Sequence, residues 1–393
     1  MMNNERWLLP EGIEEVLPPQ AARLEALRRA MLDMYQSWGY ELVVPPLIEY
    51  VESLLIGTAD DLDLQTFKLT DQLNGRMMGV RADMTPQVAR IDAHLLKRNT
   101  PTRLCYLGTV LHTRPDGFAG SRSPLQVGAE LYGHSGVASD VEIIELMVAT
   151  FHLCGIANLY VDLGHVGIFR GLVAQAKLDA QQETALFDAL QRKAKPEIKT
   201  MLAGWSLSQP LTAMFLALAD LNGGGEVFTI AATVLQDASQ DVVTALTELQ
   251  QIADSIQQRL PDIDLHYDLA ELRGYHYHTG VVFAAFVPGQ GQAIAQGGRY
   301  DGIGKVFGNA RPATGFSSDL RTLMEFATLG TVAAAGIFAS NVTDAALRNT
   351  ITALRAIGER VVINLPGQQG SAKDMGCDRQ LVMCNNQWIV EKI

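Results

Sequence analysis

The chain has 393 residues, 48% apolar and 19% charged, enough to bury a sizeable core and more than one core usually serves. Its 43 acidic residues against 31 basic leave a net charge of -12, a field that repels phosphate backbones, and no dense basic patch offsets it. The four cysteines are widely spaced without a CxxC pair, the N-terminus lacks the apolar run of a secretory leader, and no stretch nears the roughly 20 apolar residues that span a bilayer. These features predict a soluble, cytoplasmic chain with no disulfide framework, no membrane span and no nucleic-acid partner.

Apolar residues at Leu24, Leu27, Met31, Met34, Tyr35 and Trp38 recur at helical spacing and predict a helix over 20–38, with Gly39 as its C′ residue. A short strand over 41–44 stops at Pro45 and Pro46. The Asn74-Gly75 turn joins predicted strands at 67–70 and 77–80, and Thr85 then Pro86 read as N-cap and first position of a helix reaching about Leu96. Two strands follow, near 103–112 and 125–132. Ser139 and Glu142 carry the S-x-x-E pattern of a capping box, opening a helix that ends near Gly155.

From about 165 to 260 the chain is rich in Ala, Leu and Gln and reads as a helical insertion. Strands are expected again at 264–269, 281–287 and 293–296, then a helix near 318–329 and a connector over 331–336. The tail reads strand (337–339), helix (344–358), strand (361–364), and a hairpin around Asn385-Asn386. Strands with mixed connections favour an α+β fold, a mostly antiparallel sheet flanked by helices. The expected division is a large domain, 1–330, and a small C-terminal α/β domain, 331–393.

Four segments hold candidate site residues. In 125–131, Gln126, Gly128 and Glu130 share one strand face, opposite an apolar face. A carboxylate, an amide and a glycine in line suit a ligand lying on the sheet, although a solvated sheet face gives the same pattern. Asp83 and Thr85 stand at a strand exit, where Asp83 can share an ammonium with Glu130, or the two can simply cap the next helix. Glu271 to Gly280 contains Arg273, suited to a two-pronged carboxylate clamp, with Tyr277, His276 and His278; the two histidines lack a third metal ligand. In 296–302 the Gly297-Gly298 pair permits close backbone approach and Tyr300 can line a flat ring. No Walker loop, GxGxxG, GxSxG or HExxH occurs, so no cofactor or metal is expected.

Taken in order, these segments resemble the catalytic domain of histidyl-tRNA synthetase. The unit around 38–46 is similar to the class II dimerisation motif, RADMT (81–85) to R-P-E-G-T, and GFSSDLRTL (315–323) to the third class motif. LRGYHYHTG and GGRYDG resemble the two histidine-specific signatures. The resemblance implies a histidine pocket made by Asp83, Thr85, Gln126, Glu130, Arg273, Tyr277, His278 and Tyr300, with His278 in place of a second tyrosine. It places Asp83 and Glu130 on the ammonium, Arg273 on the carboxylate, and Gln126 with Tyr300 at the ring end. Arg273 and His278 are five apart, so both can face one pocket only if the backbone between them is not a strand.

The nucleotide half departs from the family. The arginine that would hold the α-phosphate falls on Leu111 and the glutamate of the same motif on Thr113; the third-motif arginine falls on Thr322, and Asp319 replaces a glycine. Losing one such group costs ~2.7–4 kcal/mol of transition-state stabilisation, so two losses leave adenylate formation negligible. The tail is shorter than an anticodon-binding domain, and its six basic and five acidic residues offer little to an RNA stem.

Pocket kept, activation lost and tRNA reader lost resemble the synthetase-like regulatory subunits of ATP phosphoribosyltransferase. The resemblance implies a non-catalytic, homodimeric chain that pairs with the short catalytic subunit in a hetero-oligomer and relays feedback by free histidine. An active histidine-activating enzyme and a tRNA-binding sensor are the alternatives.

Overall fold

The computed structural model describes residues 7–55, 60–115, 121–275, 277–308, 310–327 and 335–393. The chain divides into two compact units: Met1–Glu15 with Leu27–Thr328, and Val16–Ala26 with Leu329–Ile393. The first helix, Gln20–Ser37, is cut by this division at Leu27. Its buried positions Leu27, Met31 and Tyr35 are spaced by four, one stripe of an α-helix, and Tyr35 shares a 3.1 Å hydrogen bond with Thr150. Gly39 ends the turn at φ 84°, a backbone conformation that favours glycine.

The strands of the first unit, in chain order, are β1 (Glu41–Leu42), β2 (Ile48–Tyr50), β3 (Phe67–Thr70), β4 (Met77–Val80), β5 (Thr102–Thr109), β6 (Leu125–Tyr132), β7 (Tyr160–His165), β8 (Asn222–Gly223), β9 (Asp264–Asp268), β10 (Val281–Phe286), β11 (Ala295–Arg299) and β12 (Ala313–Asp319). Nine form one sheet in the order β1-β5-β6-β12-β11-β10-β7-β9-β8, and β2-β4-β3 form a second. Within the nine-stranded sheet, β1–β5 and β7–β9 pair parallel and the other neighbours antiparallel. The mostly antiparallel sheet expected from sequence is present.

Helix Val137–Leu153 packs on this sheet with a mostly apolar buried face that also carries Ser139, Asp140 and Thr150. The expected helical insertion holds six helices between Val166 and Arg259, interrupted by the short β8. Its first and last helices, Val166–Ala176 and Gln240–Arg259, pack on each other and on β10 and β7. They belong to the sheet's cover, not to an excursion from it.

Several expected elements need correction. Residues 160–165, for which no element was expected, form β7, a strand inside the sheet, with Val161 and Leu163 buried on one face and Asp162 and Gly164 on the other. Gly315 to Asp319 lie in β12, and the helix begins only at Leu320, since Asp319 caps it by accepting from the Arg321 N–H at 3.1 Å. Gly297 to Arg299 continue β11, which runs past the expected strand end at 296.

The capping box at Ser139 and Glu142 is absent: Gly136 is the N-cap, Glu142 holds Arg103 in a two-pronged pair at 2.6 Å, and Ser139 accepts from Arg299 at 2.9 Å. Met84 takes the N-cap place expected of Thr85, which becomes the first residue of helix Thr85–Arg90. That helix widens into a π-turn over Ile91–Leu96.

The second unit carries β13 (Gly336–Ala339), β14 (Val361–Ile363), β15 (Cys377–Cys384) and β16 (Gln387–Lys392), in the order β14-β13-β15-β16. Ile337, Ala339, Leu347, Ile351, Val361 and Leu381 form its core. Asp344 caps helix Ala345–Ala356 by accepting from Ala346 N at 2.8 Å and takes the Trp388 indole N–H at 2.6 Å. Asn385 and Asn386, both at positive φ, make the expected hairpin turn. Most of the expected connector over 331–336, residues 331–334, lies outside the described residues. Among the described residues no helix is long and apolar enough to cross a membrane.

Candidate functional site

Strand register assembles the site. Directly opposed residues share a face, so one row across the sheet reads Leu104, Glu130, Gly315, Gly298, Val282, Gly164. The next row on the same face reads Tyr106, Gly128, Ser317, Gln296, Ala284, Asp162, His266. The floor is built of glycine, alanine and serine around a few polar groups. A cavity of about 180 Å³ sits on it, below the ~300–1,000 Å³ of clefts for drug-sized ligands and suited to a small metabolite.

The glycines do not open the backbone to a ligand, as the sequence suggested. Each lies under a side chain of the wall or of its support: a Cβ at Gly128 would strike the Tyr106 hydroxyl, at Gly315 the Glu130 carboxyl, at Gly298 the His278 ring and at Gly164 the Glu271 stem. Gly297, on the other face, makes room for the Phe283 ring. The small residues thus let the wall side chains lie flat on the sheet and leave the cavity above them.

Of the eight residues expected in the site, seven line this cavity: Asp83, Thr85, Glu130, Arg273, Tyr277, His278 and Tyr300. Gln126 stands behind it, donating to Asp83 Oδ1 at 2.7 Å and accepting from the Met84 N–H at 2.9 Å. Asp83 also accepts from the Thr85 N–H at 3.0 Å, so the capping role weighed for it is real and coexists with its place on the wall. Residues 273–275 and 277 lie in a turn. Gly274, at φ 62°, lets its carbonyl accept from both Tyr277 N and His278 N at 2.8 Å, and the two side chains reach one cavity. His276 lies outside the described residues.

Glu130 is 1% exposed. Its carboxyl accepts from Tyr106 at 2.9 Å and from the Tyr300 hydroxyl, and Tyr106 in turn meets Thr85 Oγ1 at 3.0 Å. Tyr277 stacks on Tyr300 with ring centroids 5.0 Å apart, and its buried hydroxyl has no hydrogen-bond partner among the described residues. A buried hydroxyl in that state is costly unless something in the cavity meets it. His278, with burial as the main cause, is held down to about 4 and stays a neutral imidazole.

Sequence reasoning missed Asp162 and Glu271 as wall residues and Tyr106 as a support of Glu130. Tyr106 had a signal, since it is the bulky residue that Gly128 faces across the pair. Asp162 had none, because its strand was not recognised.

The charge of the lining is lopsided. Asp83, Glu130, Asp162 and Glu271 are carboxylic, and Arg273 is the single guanidinium or amine among them. That arginine is already engaged: Nε and Nη2 donate to Glu271 Oε2 at 3.1 and 2.8 Å. The nucleotide-side substitutions agree with this balance. The Thr322 hydroxyl donates to Asp319 Oδ2 at 3.1 Å, Asp319 Oδ1 accepts from Leu125 N at 2.9 Å, and the Arg321 guanidinium donates to the Glu14 carbonyl at 3.3 Å. Arg81 is likewise spent on the carbonyls of Pro45 and Thr109 at 2.7 and 2.9 Å.

Burial pushes the Glu130 carboxyl from the ordinary 4.5 up to about 8, against the tyrosine hydroxyls that favour its charged form. A proton held more tightly when folded gives stability that is full below the unfolded value and is lost as pH rises through the folded one. Urea unfolding should therefore show stability falling between pH 4.5 and about 8, with Glu130→Gln removing that part of the fall. Parallel profiles for wild type and variant would contradict the assignment.

A family model described as histidyl-tRNA synthetase matches residues 12–323, and one described as the ATP phosphoribosyltransferase subunit HisZ C-terminal domain matches residues 334–391. The ATP phosphoribosyltransferase regulatory subunit of Thioalkalivibrio sulfidiphilus (strain HL-EbGR7) is 61% identical over 392 residues, 99% of each chain. The protein of the same name from Pseudomonas fluorescens (strain Pf0-1) is 55% identical over 398 residues, 100% of each. Among solved structures, the ATP phosphoribosyltransferase regulatory subunit/histidyl-tRNA synthetase from Bacillus halodurans C matches with a TM-score of 0.81 at 27% identity, over 94% of this chain and 95% of its own. Histidyl-tRNA synthetase from Nostoc sp. PCC 7120 shares the fold, with a TM-score of 0.76 at 18% identity over 96% and 91% of the two chains. With relatives this close over nearly its full length, the chain belongs to the family of ATP phosphoribosyltransferase regulatory subunits, built on the histidyl-tRNA synthetase fold.

Proposed function

We propose that this chain acts as the regulatory subunit of an ATP phosphoribosyltransferase, pairing with a short catalytic chain and binding free histidine without activating it. The carrying observation is the cavity lining, an amino-acid-sized site with several carboxyls and one arginine. A zwitterion of zero net charge suits that balance. A triphosphate does not, because the cations that would stabilise developing phosphate charge are missing from the wall.

The geometry favours exchanging two of the roles that the resemblance implies. Charged ends are costly to bury, so the zwitterion belongs at the half-exposed side, where Asp83 takes the ammonium, seated by Gln126 and the Thr85 N–H, and Arg273 takes the carboxylate. Glu130, deep among tyrosines, then meets the ring. A neutral imidazole has one donor and one acceptor nitrogen, and a carboxyl near its ionisation point, with the unpartnered Tyr277 hydroxyl, can serve both.

Histidine binding regulates the partner only if it favours one conformation of the assembly, with coupling of typically 1–3 kcal/mol. The self-association expected from the first-motif segment has support in the apolar side chains around the edge strand β1: Leu42, Val44, Leu47 and Ile48 are 50%, 80%, 48% and 41% exposed.

The test is reconstitution with the short catalytic chain of the same organism, following product formation with and without histidine. Activity should require this chain and fall when histidine is added; a catalytic chain indifferent to it would contradict the proposal. Light scattering of the chain alone should give a dimer, and a monomer would remove the self-association.

A further inference from the structure

The residue that engages Arg273 is itself part of the wall. Glu271 Oε2 covers the Nε and Nη2 edge of the guanidinium, the edge that a ligand carboxylate would use for a two-pronged contact. Glu271 Oε1 accepts from the Arg273 backbone N–H at 2.8 Å, which fixes the carboxylate beside the guanidinium without a long side-chain search. Its stem lies against β7 at Gly164, where any Cβ would push it away, and the intervening Leu272 is 1% exposed, so this backbone is anchored. Asp162 Oδ2 stands 3.9 Å from Arg273 Nη2 and is ready to keep the guanidinium at the wall when Glu271 leaves it.

We infer that Glu271 is a built-in competitor for the ligand's carboxylate: occupancy of the pocket exchanges the Glu271–Arg273 pair for a ligand–Arg273 pair. The inference rests on the histidine reading of this pocket and names the residue that sets its affinity. While the internal pair is closed, the arginine is unavailable, and the apparent dissociation constant rises by the inverse of the fraction open. Glu271 also keeps a half-buried cation from standing unpaired in the empty pocket. The pocket then responds at a higher ligand concentration than its contacts alone would set, as a metabolite sensor requires. The same exchange frees the Glu271 carboxylate, so the 270–275 turn differs between empty and filled states.

Calorimetric titration of the full chain with histidine and with histidinol, which has an alcohol in place of the carboxylate, tests this. Glu271→Gln keeps an acceptor for the Arg273 N–H but removes the charge that competes. Histidine should bind the variant about tenfold more tightly than wild type, the scale of one charge-assisted hydrogen bond, whereas histidinol affinity should stay near its wild-type value. Histidine affinity unchanged or weaker in the variant, or an equal gain for histidinol, overturns the competitor role while leaving the pocket in place. Histidine binding to neither protein overturns the pocket reading and this inference together.

Discussion

A carboxyl group held almost out of water organises this site. Glu130 stands on a β-sheet between two tyrosine hydroxyls, and the strand facing it carries glycine where any side chain would collide. Moving it out of register by one residue would send it to the opposite face, under helix Val137–Leu153. The register of β6 and β12 therefore decides whether a pocket exists. The same device repeats outward: Tyr106 lies on Gly128, His278 on Gly298 and Glu271 on Gly164. Three wall side chains and Tyr106, which supports Glu130, rest on four glycines, and their placement comes from the sheet.

Elsewhere the fold keeps potential ligand-binding cations occupied. Arg299, within the GGRYDG segment, is buried and bound to Asp140 and Ser139, both at 2.9 Å, so the arginine of that signature fastens β11 to the helix behind the sheet. Arg311 pairs with the buried Asp92 at 2.7 Å, tying the π-turn to the approach of β12. With Arg81 on backbone carbonyls and Arg321 directed at Glu14, Arg273 remains the cation of the cavity wall. An acidic cavity with one already paired arginine accepts a zwitterion more readily than a nucleotide.

Much of this was legible in the chain, and the reasons are local. The alternation in 125–132 placed Gln126, Gly128 and Glu130 on one face because period 2 leaves no other choice in a strand. The five-residue spacing of Arg273 and His278 demanded a turn, and Gly274 supplied it. Less legible was what depends on partners distant in sequence. Ser139 and Glu142 match a capping box, but Arg299 and Arg103 claim them, and no local rule anticipates that. The purpose of Gly128 was misread for the same reason, since the side chain that fills its space comes from β5. Gln126 shares the pocket face yet serves Asp83, a distinction of one hydrogen bond that periodicity does not contain.

The proposed function requires a pocket that recognises an amino acid and cannot react with it. The most direct measurement is histidine-dependent exchange of labelled pyrophosphate into ATP by the purified chain, at a histidine concentration shown to saturate it. Exchange at background level is the predicted result, since Leu111 and Thr322 stand where the resemblance implies the two phosphate-side arginines. Clear exchange above background would contradict the account and make the chain a histidine-activating enzyme.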